Sequence, residues 1–234
     1  MHPAPHLPAA GDVLVLDCDA AVCRDHLDRL AAWLPPEDSE RLASITSDPV
    51  RLAFASGRLL TGWLHRVANG GDEAPRLRFG PHGKPCFEED SPWRFSLSHA
   101  GGRVALAVTR DREVGIDLEH SGRRANFTAL AERAFHANER AWWTGRGAHP
   151  ADFMRMWTLK EAWLKTGGEG ITVDLRALDV SAWIDGRLDA HRSSAFPELD
   201  GGYLSALVLE GPLGQVHSRR VSIQDLIVPG PFPG

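Results

Sequence analysis

Cysteine is scarce in this chain, and its spacing excludes two kinds of small stabilised scaffold. The 234 residues include three cysteines, Cys18, Cys23 and Cys86, with no CxxC pair and no histidine at zinc-finger spacing. An odd number of unpaired cysteines argues against a disulfide framework and against a structural zinc site. A reducing cytoplasm therefore fits this composition best.

Long apolar runs and an excess of positive charge are also missing. No segment approaches the roughly 18 apolar residues of a membrane span, and the opening MHPAPHLPAAGD lacks the pattern of an export signal. The net charge is −5, which gives no general attraction to nucleic acid or anionic lipid. We expect a cytoplasmic globular protein without a membrane or nucleic-acid partner, in which a polyanionic ligand needs a local basic cluster.

What the chain does have is an alternation of helical and strand periodicity. Apolar spacing predicts helices over 24–33, from 36, over 48–67, over 127–143 with a break near 135–138, and over 152–166. Strands are predicted over 13–19, 76–79, 177–183, 203–209 and 219–228, and residues 95–119 predict a three-stranded meander. The order of helix, glycine-rich stop, strand and apolar strand entered through GG occurs twice. This repetition predicts an α+β (α/β) fold of two similar halves, 1–111 and 112–234, with a cleft between them.

Three carboxylates stand out near the start of the predicted second half. Asp117 and Glu119 lie on one face of a strand, about 7 Å apart, because side chains alternate. Glu161 and Lys165 lie four residues apart on a helix, and a meander would bring His99 to the same end of the sheet as Asp117. Taken alone, these pairs are typical of a solvated sheet face and a surface ion pair.

Taken together, the same residues point to a metal ion and a phosphate. Carboxylates without a histidine or cysteine ligand set favour Mg²⁺, which uses substrate phosphates to complete its coordination. The basic residues available to clamp a phosphate or pyrophosphate are Lys165, His99, Lys84, Arg51 and Arg41. Lys160 falls inside the apolar arc of its helix, where snorkelling of the ammonium is the simplest interpretation.

Three segments resemble the signatures of a known family. FSLSHAGGRVALAV, GIDLEH and WTLKEAWLKTGGEGI resemble those of the 4′-phosphopantetheinyl transferases, in the surfactin-type (Sfp-like) class with two halves. Weaker matches are PEDSERLASITSDPVRLAFASGRLL, GPHGKPCF and RAFHANE, and the ordered set spans residues 36–171. The resemblance implies two α/β halves related by pseudo-twofold symmetry, with coenzyme A in the cleft.

The resemblance also implies a role for each matching residue. Asp117, Glu119 and Glu161 match Mg²⁺ ligands, and Glu161 also matches the group that activates the attacking hydroxyl. Asp117, Glu161, Lys165 and His99 thus form the implied catalytic set. The implied coenzyme A contacts are Arg41, Arg51, Lys84, His99, Lys160 and Lys165. Two departures stand out: Asp38 replaces a lysine that some members use for the 3′-phosphate, and Ala100 replaces a common hydroxyl residue.

The implied reaction moves the phosphopantetheine arm of coenzyme A to a serine of an apo acyl or peptidyl carrier protein, releasing adenosine 3′,5′-bisphosphate. The implied carriers serve polyketide, non-ribosomal peptide or fatty acid synthesis, and the enzyme is expected to be a monomer that is a pseudo-dimer internally. Residues 123–143, which combine basic and apolar side chains, are the candidate carrier surface, and core packing is the alternative. Two other functions remain open, an Mg²⁺-dependent nucleotide pyrophosphate hydrolase and a non-catalytic carrier-binding module.

Overall fold

A computed structural model describes residues 6–168, 174–186 and 191–226 of the chain. The strands are β1 (Val13–Asp19), β2 (Leu77–Phe79), β3 (Pro85–Phe87), β4 (Trp93–Ala100), β5 (Arg103–Arg110), β6 (Val114–His120), β7 (Arg192–Ala195), β8 (Tyr203–Glu210) and β9 (Val216–Arg220). The helices are α1 (Leu27–Trp33), α2 (Pro36–Ser44), α3 (Asp48–Asn69), α4 (Phe127–Ala134), α5 (Ala137–Gly145), α6 (Pro150–Gly167) and α7 (Ile223–Leu226). Within these ranges, no helix is both long and apolar enough to cross a bilayer.

The larger strands form two sheets. The first has the order β4-β5-β1-β9, in which β9 runs parallel to β1 and the other pairs are antiparallel. The second has the antiparallel order β6-β8-β7, and β2 pairs with β3 separately. This confirms a mixed α and β fold. Strand β9 joins the first sheet although it follows residue 112, so the division at 111/112 stays a prediction.

The predicted meander is wrong in its third strand. Strands β4 and β5 form the expected hairpin, but β6 pairs with β8 in the second sheet. Val114, Ile116 and Leu118 turn inward against Val13 and Ala107 of the first sheet, where all are nearly inaccessible to solvent. Burying this apolar face between two sheets favours the transfer of β6 to a new partner, and local alternation of side chains cannot reveal that choice.

The two long helices begin and end where the sequence indicates. Each carries proline in its first turn, which suits the helix start because that backbone position needs no donor. Helix α3 stops at Gly70, and α6 stops at Gly168, whose positive φ of 65° is the left-handed geometry that glycine adopts easily. The predicted break before α5 is also present, and His136 and Glu139 form a reciprocal capping box there.

Several local predictions differ from the structure. The predicted strand over 177–183 is replaced by two 3₁₀ turns, Leu175–Ala177 and Ser181–Trp183, and the last strand runs from Val216 to Arg220 before α7. Residues 169–171, 227 and 228 of the predictions lie outside the described ranges. Phe135 and Trp143, two of the predicted carrier-surface residues, are core residues that pack with Phe153. Their burial follows from the break in the helix, which folds α5 back against α6.

Candidate active site

Strand β6 presents a polar face directly to helix α6. Gly115, Asp117 and Glu119 alternate with the buried apolar residues, as period two requires. A Cβ built on Gly115 would lie 2.0 Å from the carbonyl oxygen of Ala162, so the helix backbone rests on this strand. The glycine thus brings α6 close enough for one of its side chains to contact Asp117.

Lys165 is the helix residue that makes this contact. Its ammonium donates to Oδ1 of Asp117 at 2.7 Å and to the hydroxyl of Ser98 at 3.1 Å. The Ser98 hydroxyl itself bonds the same Asp117 oxygen at 2.8 Å. The predicted proximity of Asp117 and Lys165 is present, and Ser98 on β4 is a third member that the sequence reasoning missed.

Glu161 and Glu119 complete a group of carboxylates that influence one another electrostatically. Burial and then repulsion from Asp117 raise the pKa of Glu161, against the attraction of Lys165. Burial also raises the pKa of Glu119, although Arg123 forms a very close ion pair with it. Both shifts follow from crowding negative charge into a partly desolvated place.

This donor set suits a hard divalent cation in its chemistry. Carboxylate oxygens are the ligands that Mg²⁺ takes from proteins, and positive charge already balances two of the three groups through Lys165 and Arg123. Over the described ranges, however, no three acidic, histidine or cysteine side chains converge tightly enough to form a ready metal cluster. A cation bound here would therefore replace the lysine or arginine at some of these oxygens.

Two neighbouring cavities of about 260 Å³ border the cluster, and Leu97 lines both. One holds Glu161 and Lys165 beside Leu164. The other holds His99 with Arg41 and Arg58. Desolvation and the positive charge of Lys165 lower the pKa of His99. The first cavity therefore combines Glu161 with the basic groups of Lys84 and Lys165, whereas the charged and titratable groups that line the second are basic.

Arg58 is a second residue that the sequence reasoning did not assign to the site. Its guanidinium is buried, pairs with Asp38 at 2.7 Å and stacks over Phe54 at 4.6 Å. The sequence did contain one indication of this role for Arg58. Asp38 stands where some family members have a lysine, and its buried carboxylate needs a cationic partner. Arg51, a predicted coenzyme A contact, pairs with Asp48 and lines a different surface cavity.

Two lysines predicted to bind the cofactor are engaged inside the protein. The Lys84 ammonium donates to the Glu113 carboxylate at 2.5 Å and to the carbonyls of Val114 and Thr166 at 3.0 Å. These contacts use all three of its protons, and burial lowers its pKa against the pull of Glu113. Lys84 thus fastens the turn before β3 to the start of β6 and to the end of α6.

Lys160 does not snorkel to the surface as predicted. Its ammonium is 1% exposed and donates to both oxygens of Glu139 at 2.6 and 2.8 Å, and also to the carbonyl of Leu178. Because a fully enclosed ammonium cannot reach a ligand in either cavity, this arrangement disagrees with a cofactor contact. The pair instead ties α6 to α5 one residue before Glu161.

Comparison with known proteins shows which family this chain belongs to. Residues 113–208, which include β6 and α6, match the 4′-phosphopantetheinyl transferase superfamily. The chain is 35% identical over 142 residues to 4′-phosphopantetheinyl transferase AcpT of Escherichia coli (strain K12), covering 59% of this chain and 67% of that protein. It is 30% identical over 181 residues to 4′-phosphopantetheinyl transferase HetI of Nostoc sp., covering 70% and 75%. It is also 30% identical over 155 residues to 4′-phosphopantetheinyl transferase psf-1 of Bacillus pumilus, covering 62% and 65%. The chain therefore belongs to the 4′-phosphopantetheinyl transferase superfamily and is an enzyme of that class.

Proposed function

We propose that this enzyme transfers the 4′-phosphopantetheine arm of coenzyme A to a serine hydroxyl of an apo carrier protein. The observation that carries the proposal is the contact of Asp117 with Lys165 beside Glu161, in a chain whose relatives are named for this transfer. The serine oxygen would form a new bond to the phosphorus of the pantetheine phosphate. The bond from that phosphorus to the bridging oxygen would break, and adenosine 3′,5′-bisphosphate would leave.

The proposed metal is Mg²⁺, held by Asp117, Glu119 and Glu161. When bound, it supplies positive charge that polarises the pyrophosphate and stabilises the leaving phosphate. The support is the chemistry of the donor set, together with the burial and the repulsion from Asp117 that raise the pKa of both glutamates. A divalent cation relieves that repulsion, so the site gains more from the ion than an isolated carboxylate would.

The side chains around the cluster have separate proposed tasks. Lys165 adds positive charge to the pyrophosphate, and His99, Arg41 and Arg58 hold the nucleotide phosphates from the neighbouring cavity. Glu161 accepts the serine proton, directly or through a water molecule. Its raised pKa suits this task, because a base works best when its pKa approaches the working pH.

Several finer features stay part of this proposal. They are membership of the surfactin-type class, the pseudo-twofold relation of two halves at 1–111 and 112–234, a cleft between them, a monomeric state and a cytoplasmic location. The proposed carrier surface is reduced to the side chains of the predicted segment that are exposed or partly exposed. These are Arg123, Arg124, Phe127, Leu130, Arg133 and Trp142. Basic groups around apolar ones suit an acidic helical carrier.

Intact mass spectrometry of an apo carrier tests the reaction. We expect the carrier to gain one phosphopantetheine unit when it is incubated with the protein, Mg²⁺ and coenzyme A, and no gain after chelation of the metal. Asp117→Asn and Glu161→Gln should abolish the gain, whereas Glu198→Gln, on an exposed loop residue, should not. Hydrolysis of coenzyme A with unchanged carrier mass would favour a hydrolase, and binding of carrier without either reaction would favour a non-catalytic module. A panel of polyketide, peptide and fatty acid carriers identifies the pathway.

A further inference from the structure

Two serines of β4 join the edges of the two sheets. Strands β4 and β6 are each the outermost strand of their sheet, so each has an edge without a ladder partner. The hydroxyl of Ser96 accepts the Ile116 amide at 3.2 Å, and that of Ser98 accepts the Leu118 amide at 3.3 Å. Because groups two residues apart lie on one side of a strand, the two serines accept in the same way from two β6 amides that are also two residues apart.

Ser98 differs from Ser96 in also contacting the acidic cluster. Its hydroxyl lies 2.8 Å from Oδ1 of Asp117 and 3.1 Å from the Lys165 ammonium. Ser96 lines the cavity that holds Glu161 and Lys165, but over the described ranges its side chain makes no hydrogen bond with an acidic or basic group. Both serines therefore lie where the two sheets meet, and Ser98 is the one that hydrogen-bonds with the acidic cluster.

The partners of Ser98 fix the direction of its proton. An amide N–H and an ammonium can only donate, so Leu118 and Lys165 occupy the two acceptor positions of the hydroxyl. The single proton must then point to Asp117, whose carboxylate can only accept. The hydroxyl is fully used, and 6% exposure of Ser98 leaves water little access to compete for these positions.

The consequence falls on the orientation of Asp117. Both the hydroxyl and the ammonium bond Oδ1, and over the described residues no hydrogen bond reaches Oδ2. If a cation displaces Lys165 from Oδ1, the serine bond still holds the carboxylate in its rotamer. A neutral donor is suited to this, because it does not repel the incoming cation as a lysine or arginine would.

We propose that Ser98 is a positioning residue. Its hydrogen bonds orient the Asp117 carboxylate to bind the divalent cation and hold the Lys165 ammonium where it can contact the phosphate. This inference rests on the proposed function. Hydrogen-bonding partners behind a metal ligand typically change metal affinity or activity by roughly 10 to 100-fold when they are removed. Ser98 is placed to be such a partner, whereas Ser96 is not.

The test compares Ser98→Ala with Ser96→Ala, since each substitution removes one hydroxyl that accepts a β6 amide. Isothermal titration with MnCl₂ measures cation binding without requiring turnover, and the Mg²⁺ concentration that gives half the maximal transfer rate measures it during turnover. We expect Ser98→Ala to weaken both by about 10 to 100-fold and Ser96→Ala to change them by less than about threefold. Ser98→Thr retains a hydroxyl and should recover most of the wild-type affinity. The unfolding midpoints of the two alanine variants should be similar.

The outcomes separate this inference from the proposed function. Equal metal dependence in the two alanine variants would overturn the positioning role while leaving the transfer reaction intact. Loss of metal affinity only in Ser98→Ala, in a wild-type protein that transfers nothing to any carrier, would sustain the role and reject the reaction. A wild-type protein that binds no divalent cation, with or without coenzyme A, would overturn the inference directly.

Discussion

Replacing Gly115 by alanine should separate helix α6 from the strand that carries Asp117. The new Cβ would lie 2.0 Å from the Ala162 carbonyl oxygen and 2.7 Å from the Thr166 amide, and both are backbone atoms that cannot rotate away. An ordinary contact begins at 3.4 Å, so the helix must shift by about 1.4 Å. Overpacking of this kind costs about 1–3 kcal/mol, and we expect the upper end because no side chain can yield.

The same shift should damage activity more than stability. Helix α6 carries Glu161 and Lys165, and a displacement of about 1 Å at a reacting group can lower a rate by about 100-fold. Urea unfolding followed by circular dichroism gives the free energy of unfolding, and carrier mass against time gives the transfer rate. Gly145→Ala is the matched control, because no atom lies within 4 Å of its built Cβ.

The outcome that refutes this reasoning is specific. If Gly115→Ala unfolds at the wild-type urea concentration and transfers within about threefold of the wild-type rate, α6 does not seat on β6 as described. If the free energy of unfolding falls but the transfer rate does not, the helix moves without displacing Glu161 and Lys165 from their working positions. In that case the contact of Lys165 with Asp117 is not what positions the reaction.

Three further changes test the buried charges. Lys84→Met should lower the free energy of unfolding by about 2 kcal/mol, because two carbonyls and Glu113 lose a charged donor; urea unfolding measures it. Lys160→Met should cost about 3–5 kcal/mol by leaving Glu139 buried and uncompensated, and adding Glu139→Gln should recover part of the loss in a double-mutant cycle. Glu161→Gln should raise the free energy of unfolding at neutral pH, since the folded protein raises the pKa of Glu161 and so disfavours its ionised form. That gain should vanish below the unfolded pKa of about 4.5, and a stability series from pH 3 to 8 measures it.

The polar face of β6 and the face of α6 that carries Glu161 and Lys165 could be predicted, because both follow from the spacing of residues close together in the sequence. Alternation with period two placed Asp117 opposite Val114 and Ile116, and helical spacing placed Glu161 and Lys165 together. These periodicities state which side chains share a face. They do not state which strand or helix that face meets, and this is why β6 was assigned to the wrong sheet.

The residues whose internal contacts could not be predicted are those whose partners are distant in the chain. Lys84 is satisfied by a carbonyl 82 residues away, and Lys160 by a carboxylate 21 residues away. The sequence alone does not distinguish a lysine that binds a phosphate from one that pairs with a buried glutamate. Burial decides between them, and the strand pairing and helix packing that determine burial are long-range. Ser98 was missed for the same reason, although the repeated serines of FSLSHA were a usable signal.

Strand β9 has a consequence for how this protein can be synthesised and divided. The first strand of the chain lies between β5 and β9, and the side chain of Asp12 accepts the amide of Gln215, 203 residues away. One edge of β1 therefore stays open until β9 has left the ribosome, which exposes that edge to mispairing meanwhile. A fragment that stops after β6 would keep that edge open permanently. The first sheet is thus completed by β9, and a cut between the two predicted halves would remove that strand from it.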